Sequence, residues 1–304
     1  MNALTNKIYT DENKARDHLE SLRWPDGPIC PHCGSLNNAT RLEGKAHRPG
    51  LLKCKDCRKQ FSVTVGTVFE RSKIPLTKWL AATFLMASSK KGISSHQIHR
   101  TLGITYKTAW FMTHRIREAM RDTSTDQLGG PGSSGIVEAD EVYIGPRTRG
   151  QGKGNRKGKK EQVVALVERK GRVRAHHVPS VTVETLKEVL EKNVAKSARL
   201  MTDGAGMYEK IGQQFASHQT VNHYEGEYAR GDVTTNTVEG FFGILKRGLG
   251  GIYQHVSPAH LHRYVNEFAF RYNNRASLEV NDVERAQMAL LGISGKRLTY
   301  ASTN

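Results

Sequence analysis

The chain is short of cysteine, has no long apolar run, and carries too little acid to balance its base. Its only four cysteines fall in two tight pairs, Cys30 with Cys33 and Cys54 with Cys57. No basic segment followed by an apolar one opens the sequence, so no secretory signal is expected. Without one, a disulfide framework is not expected either. The longest apolar run, WLAATFLMA at 79–87, is far too short to span a bilayer. Asp plus Glu number 29 against 46 Lys plus Arg, a formal net charge of +17. That imbalance favours a polyanionic partner, and with no membrane segment nucleic acid is preferred over a lipid surface. The expected location is the cytoplasm, on the nucleoid. A length of 304 residues allows one large domain or two to three smaller ones.

The cysteines that are present form a pattern. CPHC (30–33) and CKDC (54–57) are separated by 20 residues. Each C-x2-C turn brings two sulfurs to one side, and two such turns close a tetrahedron around zinc at Zn–S of roughly 2.3 Å. Four thiolates leave no open position, so Cys30, Cys33, Cys54 and Cys57 predict a structural zinc. His32 and His47 are weaker alternative ligands. Ahead of this site, TDENKARDHLESLRW predicts a short helix with Thr10 as N-cap, stopped by Pro25, Gly27 and Pro28. Residues 1–67 form a first region: helix plus zinc ribbon.

Residues 68–122 form a second, helical region with ten Lys or Arg against three Asp or Glu. LTKWLAATFLMASS predicts an apolar helix. Two further helices meet at Gly103: Ile98 and Leu102 give one apolar stripe, Ala109, Met112 and Ile116 the next, and Thr105 is an N-cap. Short helices joined through glycine make a helix-turn-helix candidate, in which Tyr106, Lys107 and Thr108 lead the second helix into a DNA groove. Arg115 and Arg117 follow as further DNA-binding candidates. A plain helical hairpin is the competing reading. The Gly/Ser-rich stretch 123–135 reads as a linker or long loop.

Residues 136–292 form a third region and 293–304 a tail. GIVEADEVYIG (135–145) predicts a strand that contains three acids. With a period of two, Glu138 and Asp140 share one face and Glu141 takes the other. The run 145–160 holds seven Lys or Arg, five Gly and no acid, and is expected to be a loop. Two more strands, a helix at 182–194, a strand ending at Asp203, and a further strand follow. TTNTVEGFFGILKRGLG and SPAHLHRYVNEFAFRYNNR predict helices, the second with Ser257 as N-cap. Three meandering strands followed by alternating helices and strands predict an α/β fold with a mixed sheet.

Acid inside a strand is costly unless a cation offsets it. Asp140 mid-strand, Asp203 at a strand end and Glu239 on a helix can converge, although each alone has an ordinary structural reading. Converged carboxylates suit Mg²⁺, which binds few of them and completes its shell from water and phosphate. Two such ions serve an in-line phosphoryl displacement.

At these residues the chain resembles a known family. Asp140, Asp203 and Glu239, with 35 residues between the last two, resemble the DDE triad of RNase H-like transposases and integrases. Lys246, two helical turns beyond Glu239, matches the basic residue often found after that glutamate. RWPDG…CPHCGS, HQIHRTLGITYKTAWFMTHRIREAM, EADEVYIG, NTVEGFFGILKRG and YVNEFAFRYNNR together resemble the ISXO-like transposases of bacterial insertion sequences. The resemblance covers residues 10–292 and implies an RNase H-like mixed-sheet catalytic domain preceded by a zinc ribbon and a helix-turn-helix domain. It also implies that Asp140, Asp203 and Glu239 hold two catalytic Mg²⁺ or Mn²⁺ ions, and that Lys246 contacts element-end DNA. Asn236, one turn before Glu239, is a second candidate for the third position. The implied partners are double-stranded terminal repeats and target DNA, with the protein at least a homodimer on them. The implied reaction frees a 3′-OH at each element end and transfers it to target DNA. A DNA-binding regulator with an inactive α/β domain and a structure-selective nuclease are the competing readings.

Overall fold

The computed structural model describes residues 3–145 and 160–299. All but the two end residues of the basic run 145–160 lie outside the described residues. The chain forms two units, Met1–Arg121 with Asn274–Asn304, and Asp122–Asn273.

In the first unit, α1 (Glu12–Arg23) starts one residue later than the sequence predicts. Asp11, not Thr10, caps it, accepting from the N–H groups of Asn13 (2.8 Å) and Lys14 (3.2 Å). Strands β1 (Ala39–Arg41), β2 (Leu52–Cys54) and β3 (Gln60–Phe61) form an antiparallel sheet in that order. Helix α2 (Leu76–Ser88) buries residues on nearly every side, as its continuous apolar run requires. Its first N–H groups are taken by a distant side chain: Glu12 accepts from Leu76 (2.8 Å) and Thr77 (3.2 Å). Helices α3 (Ser95–Leu102) and α4 (Tyr106–Ala119) join through Gly103 at φ +58°, a left-handed turn that glycine adopts without a Cβ clash. Thr105 caps α4 as expected, accepting from Thr108 N–H at 3.2 Å.

In the second unit, β4 (Ile136–Ile144), β5 (Glu161–Glu168) and β6 (Val173–Val178) form the expected antiparallel meander. The turn between β5 and β6 passes through Lys170 at φ +57°. Helix α5 (Val183–Asn193) crosses to β7 (Arg199–Asp203), which runs parallel to β4, and a short α6 (Glu209–Gly212) leads to β8 (Ser217–Val221), parallel to β7. The mixed five-stranded sheet has the order β6-β5-β4-β7-β8. A hairpin of β9 (Ala229–Arg230) and β10 (Val233–Thr234) precedes α7 (Asn236–Gly248), which runs on as a π-helical turn at Leu249–Tyr253, and then α8 (Pro258–Asn273). Val142, Val163 and Ala165 pack with Phe241, Phe242, Leu245 and Phe268 of α7 and α8. Val137, Ala139, Val164 and Leu166 pack with Leu186 and Leu190 of α5 and with Tyr208. Both sheet faces are therefore covered, and the unbroken apolar run of β5 follows from burial on two sides.

Two expected boundaries shift. The stretch 123–135 is not a free linker, because Leu128 is fully buried and pairs with Asn193 O (2.8 Å), and Gly129 N–H binds Glu168 (2.8 Å). The second unit also ends at Asn273 rather than 292. Helix α9 (Asp282–Leu291), with a capping box between Asn281 and Glu284, belongs to the first unit. Arg285 anchors it there, donating to the carbonyls of Asn274 (2.5 Å), Val280 (3.1 Å) and Ala87 (3.4 Å). No helix among the described residues is long and apolar enough to cross a membrane.

Candidate active site and metal centre

The cysteine site is fully assembled. One ligand atom from each of Cys30, Cys33, Cys54 and Cys57 lies within 4.8 Å of all the others. Cys30 Sγ and Cys57 Sγ are 3.7 Å apart, as are Cys33 Sγ and Cys54 Sγ. A tetrahedron with arms of about 2.3 Å has edges of about 3.8 Å, so the sulfurs stand at zinc spacing and not at disulfide distance. The first knuckle is shaped by Gly34 N–H on Cys30 O (2.9 Å) and Cys30 N–H on Ser35 O (2.9 Å), the second by Cys54 N–H on Lys59 O (3.0 Å). Asp56 ties the knuckles together, accepting from Ser35 Oγ and from Asn38 Nδ2 (2.7 Å). His32 instead contacts Gln60 O (3.2 Å), outside the sulfur set.

The acids of β4 alternate as period two requires. Glu141 points to the α5 side, where Tyr208 Oη donates to it at 2.8 Å. Glu138 and Asp140 point to the α7 side. The parallel register pairs Ile136 with Arg199 and Glu138 with Met201. That pairing ends at Glu138 and Met201, and Asp140 and Asp203 each lie two residues beyond it on their own strands. Asp203 closes β7, and its carboxylate accepts from Ala205 N–H at 3.2 Å in the turn that follows. Glu239 stands in the first turn of α7.

Burial, first of all, and then the charges of Glu141, Asp203 and Glu239 push Asp140 up to about 7, against the pull of Glu141 N–H on its Oδ1 at 2.7 Å. Burial likewise raises Glu141, with Asp203 adding to the rise and the Tyr208 hydroxyl opposing it. Glu239 is among the charges that reach Asp140. Among the described residues, no lysine or arginine is in ion-pair contact with Asp140 or Asp203. The three acids are neighbours around Asp140, yet they do not meet the 4.8 Å spacing that the cysteines do.

One residue at this site escaped the sequence reading. His223 Nε2 lies 3.3 Å from Glu239 Oε1 and 3.1 Å from Thr235 Oγ1, and Thr235 Oγ1 itself donates to Glu239 at 3.1 Å. NHY after a strand gives no periodic or spacing signal that would have singled it out. Lys246 is exposed on α7, two turns beyond Glu239, which is also exposed.

The candidate DNA-reading residues divide. Tyr106 is exposed and stacks on His96 with ring centroids 4.2 Å apart, and Lys107 is exposed beside it. Thr108 is half-buried, its hydroxyl 2.8 Å from that of Thr105. Arg115 and Arg117 are corrected: both are buried. Arg115 donates to Glu70 O (2.6 Å) and lies over the rings of Trp79 and Phe111 (5.3 and 5.5 Å), while Arg117 donates to Thr113 Oγ1 at 3.2 Å. Neither guanidinium is presented to a groove.

A mixed sheet covered on both faces, in a chain that also carries a four-cysteine knuckle, defines an α/β protein joined to a zinc ribbon. Family comparison makes the class specific. Residues 133–273 match the ISXO2-like transposase domain, and residues 10–60 match the transposase zinc-ribbon domain. The chain thus resembles ISXO2-like transposases over both matched segments. It is 29% identical over 282 residues to a Halobacterium salinarum protein described as an uncharacterized protein in transposable element ISH50, covering 87% of this chain and 92% of that one. Among solved structures, a Mos1 strand transfer complex and a pre-cleavage Mos1 transpososome match at 13% and 12% identity. Each match covers 67% of this chain and 79% of the other, with TM-scores of 0.23 and 0.24, too low to carry any argument.

Proposed function

We propose that this protein cleaves the ends of an insertion sequence and joins them to target DNA, using an RNase H-like domain whose acids are Asp140, Asp203 and Glu239. One observation carries the reading: the charges of Glu141, Asp203 and Glu239 all reach Asp140 and help push it up to about 7, and among the described residues no lysine or arginine is paired to Asp140 or Asp203 to offset them. Crowding of this kind has no stabilising value for a fold and fits a site that takes divalent cations. The donor set, hard carboxylate oxygens, suits Mg²⁺ or Mn²⁺. When bound, such ions supply charge that offsets the attacking and leaving oxygens of an in-line displacement.

The chain's own residues set the rest. Asp140 and Asp203, on the neighbouring strands β4 and β7, present carboxylates from the rigid sheet. Glu239 approaches from α7, steadied by Thr235 and His223. Lys246 stands on the same helix to hold a phosphate of the element end. Tyr106, Lys107 and Thr108 at the start of α4 read or grip DNA as a helix-turn-helix, and the zinc ribbon adds a second contact. The basic run 145–160 neutralises backbone without reading sequence. Hydrolysis frees a 3′-OH at the element end. That hydroxyl then attacks a target phosphodiester, one P–O bond forming as another breaks, so neither ATP nor a covalent protein intermediate is needed. Joining two ends requires at least two protomers.

The test is incubation of the full chain with labelled element ends and Mg²⁺, with the new 3′ ends mapped. Cleavage at the element boundary that Asp203→Asn abolishes supports the proposal. An Asp203→Asn protein that cuts normally overturns it, and DNA binding with no metal-dependent nicking favours a regulator.

A further inference from the structure

We propose that Glu138 is a positioning residue for this site: from inside the sheet it fixes the first turn of α7 and so sets where Glu239 stands relative to Asp140. The inference rests on the transposase reading of the acids.

Glu138 is fully buried on the same face of β4 as Asp140. Both of its oxygens are occupied. Oε1 accepts from Arg169 Nε (2.7 Å) and Thr237 Oγ1 (2.8 Å), and Oε2 accepts from the N–H groups of Thr237 (2.7 Å) and Val238 (3.1 Å). Those two N–H groups belong to the first turn of α7, where a helix leaves donors unsatisfied. The residue before α7, Thr235, makes no side-chain cap, because its hydroxyl is turned to Glu239. Glu138 therefore supplies, from a strand 99 residues away, the cap that the local sequence does not. A carboxylate there is also the charge that a helix start favours.

Arg169 extends the grip. Besides Glu138, it donates to the carbonyls of Asp232 (2.6 Å) and Thr234 (3.0 Å), which lead into α7. Glu239 follows Val238 directly, so any slack in this turn becomes slack in Glu239. The far end of α7 is held separately: Tyr253 Oη donates to Glu267 at 2.6 Å, and Glu267 pairs with Arg271. Phe241, Phe242 and Leu245 seat its apolar face. Loss of Glu138 thus loosens one turn and leaves the rest of the helix in place.

Two variants of the full chain test this: Glu138→Gln, isosteric but uncharged, and Thr237→Val, which removes a single hydroxyl bond. Element-end cleavage is measured against Mn²⁺ concentration, and amide hydrogen exchange is followed in metal-free protein. Glu138→Gln should raise the half-saturating Mn²⁺ by about tenfold, the lower end of what losing an outer-shell partner costs, and lower the plateau rate by less. Thr237→Val should act the same way by about threefold, and it carries the test if Glu138→Gln does not fold. The amides of Thr237 and Val238 should exchange faster while those of β4 and β5 do not. Half-saturating Mn²⁺ equal to wild type despite faster exchange, or unchanged exchange, overturns the inference alone. Wild-type protein with no metal-dependent cleavage overturns the transposase reading and this inference together.

Discussion

Glu138 and Asp140 stand two residues apart on one face of β4, and their surroundings are opposite. Glu138 is fully buried and surrounded by donors: a guanidinium, a hydroxyl and two backbone N–H groups. Asp140 is partly buried and feels the charges of three acids, and among the described residues only the N–H of Glu141 donates to it. The first carboxylate is complete within the chain. The second is left incomplete, so its charge needs something from outside. The same side-chain chemistry thus serves architecture at Glu138 and, in the proposed function, reactivity at Asp140, and the neighbours decide which.

The largest expected effect tests the reactive member of that pair. Asp140→Asn should lower metal-dependent cleavage by at least about 10²–10³-fold, the scale for removing one charge-stabilising group from a preorganised site. Mapped 3′ ends under saturating Mg²⁺ provide the check.

Stability should separate the two acids by sign. Glu138→Gln breaks a buried ion pair and should cost about 3 kcal/mol. Asp140→Asn relieves like-charge crowding and should add about 1 kcal/mol in metal-free protein. Urea unfolding at pH 8 of both variants measures this, and a shared sign would erase the contrast.

The pH dependence of the same pair is a finer test. Asp140 sits at about 7 when folded, against 3.8 for the free carboxyl, so between those values the folded state holds the extra proton. Stability from this group is therefore present at low pH, is lost as pH rises from about 4 to about 7, and is flat above, with a slope of at most about 1.4 kcal/mol per pH unit. Wild type minus Asp140→Asn should show that slope; a difference that is flat from pH 4.5 to 7.5 contradicts it. The smallest effect belongs to Glu12, which caps α2 from a distance much as Glu138 caps α7. Glu12→Ala should cost about 1 kcal/mol and leave the Mn²⁺ requirement unchanged.

Much of this could be read from the sequence, and the parts that could not share a cause. Alternation along β4 placed Glu138 and Asp140 together and Glu141 opposite, because strand period is a local property. The C-x2-C pairs announced their own geometry for the same reason. The role of Glu138 was not legible, since its partners at Thr237 and Val238 lie on α7, about a hundred residues further along the chain. Arg115 and Arg117 looked like surface cations on α4. Their burial depends on Glu70, Trp79 and Phe111, which no helical period in α4 reveals. Helix α9 was assigned to the wrong unit because its anchor, Arg285, binds a carbonyl of α2.

The most direct measurement is thermal unfolding of the full chain at pH 8, with and without 10 mM Mg²⁺, for wild type and Asp140→Asn. The account predicts that Mg²⁺ raises the transition of the wild-type second unit by about 2–4 °C, as ligand binding of modest affinity would, and leaves Asp140→Asn unmoved. An equal shift in both proteins, or none in the wild type, would contradict a cation site at Asp140.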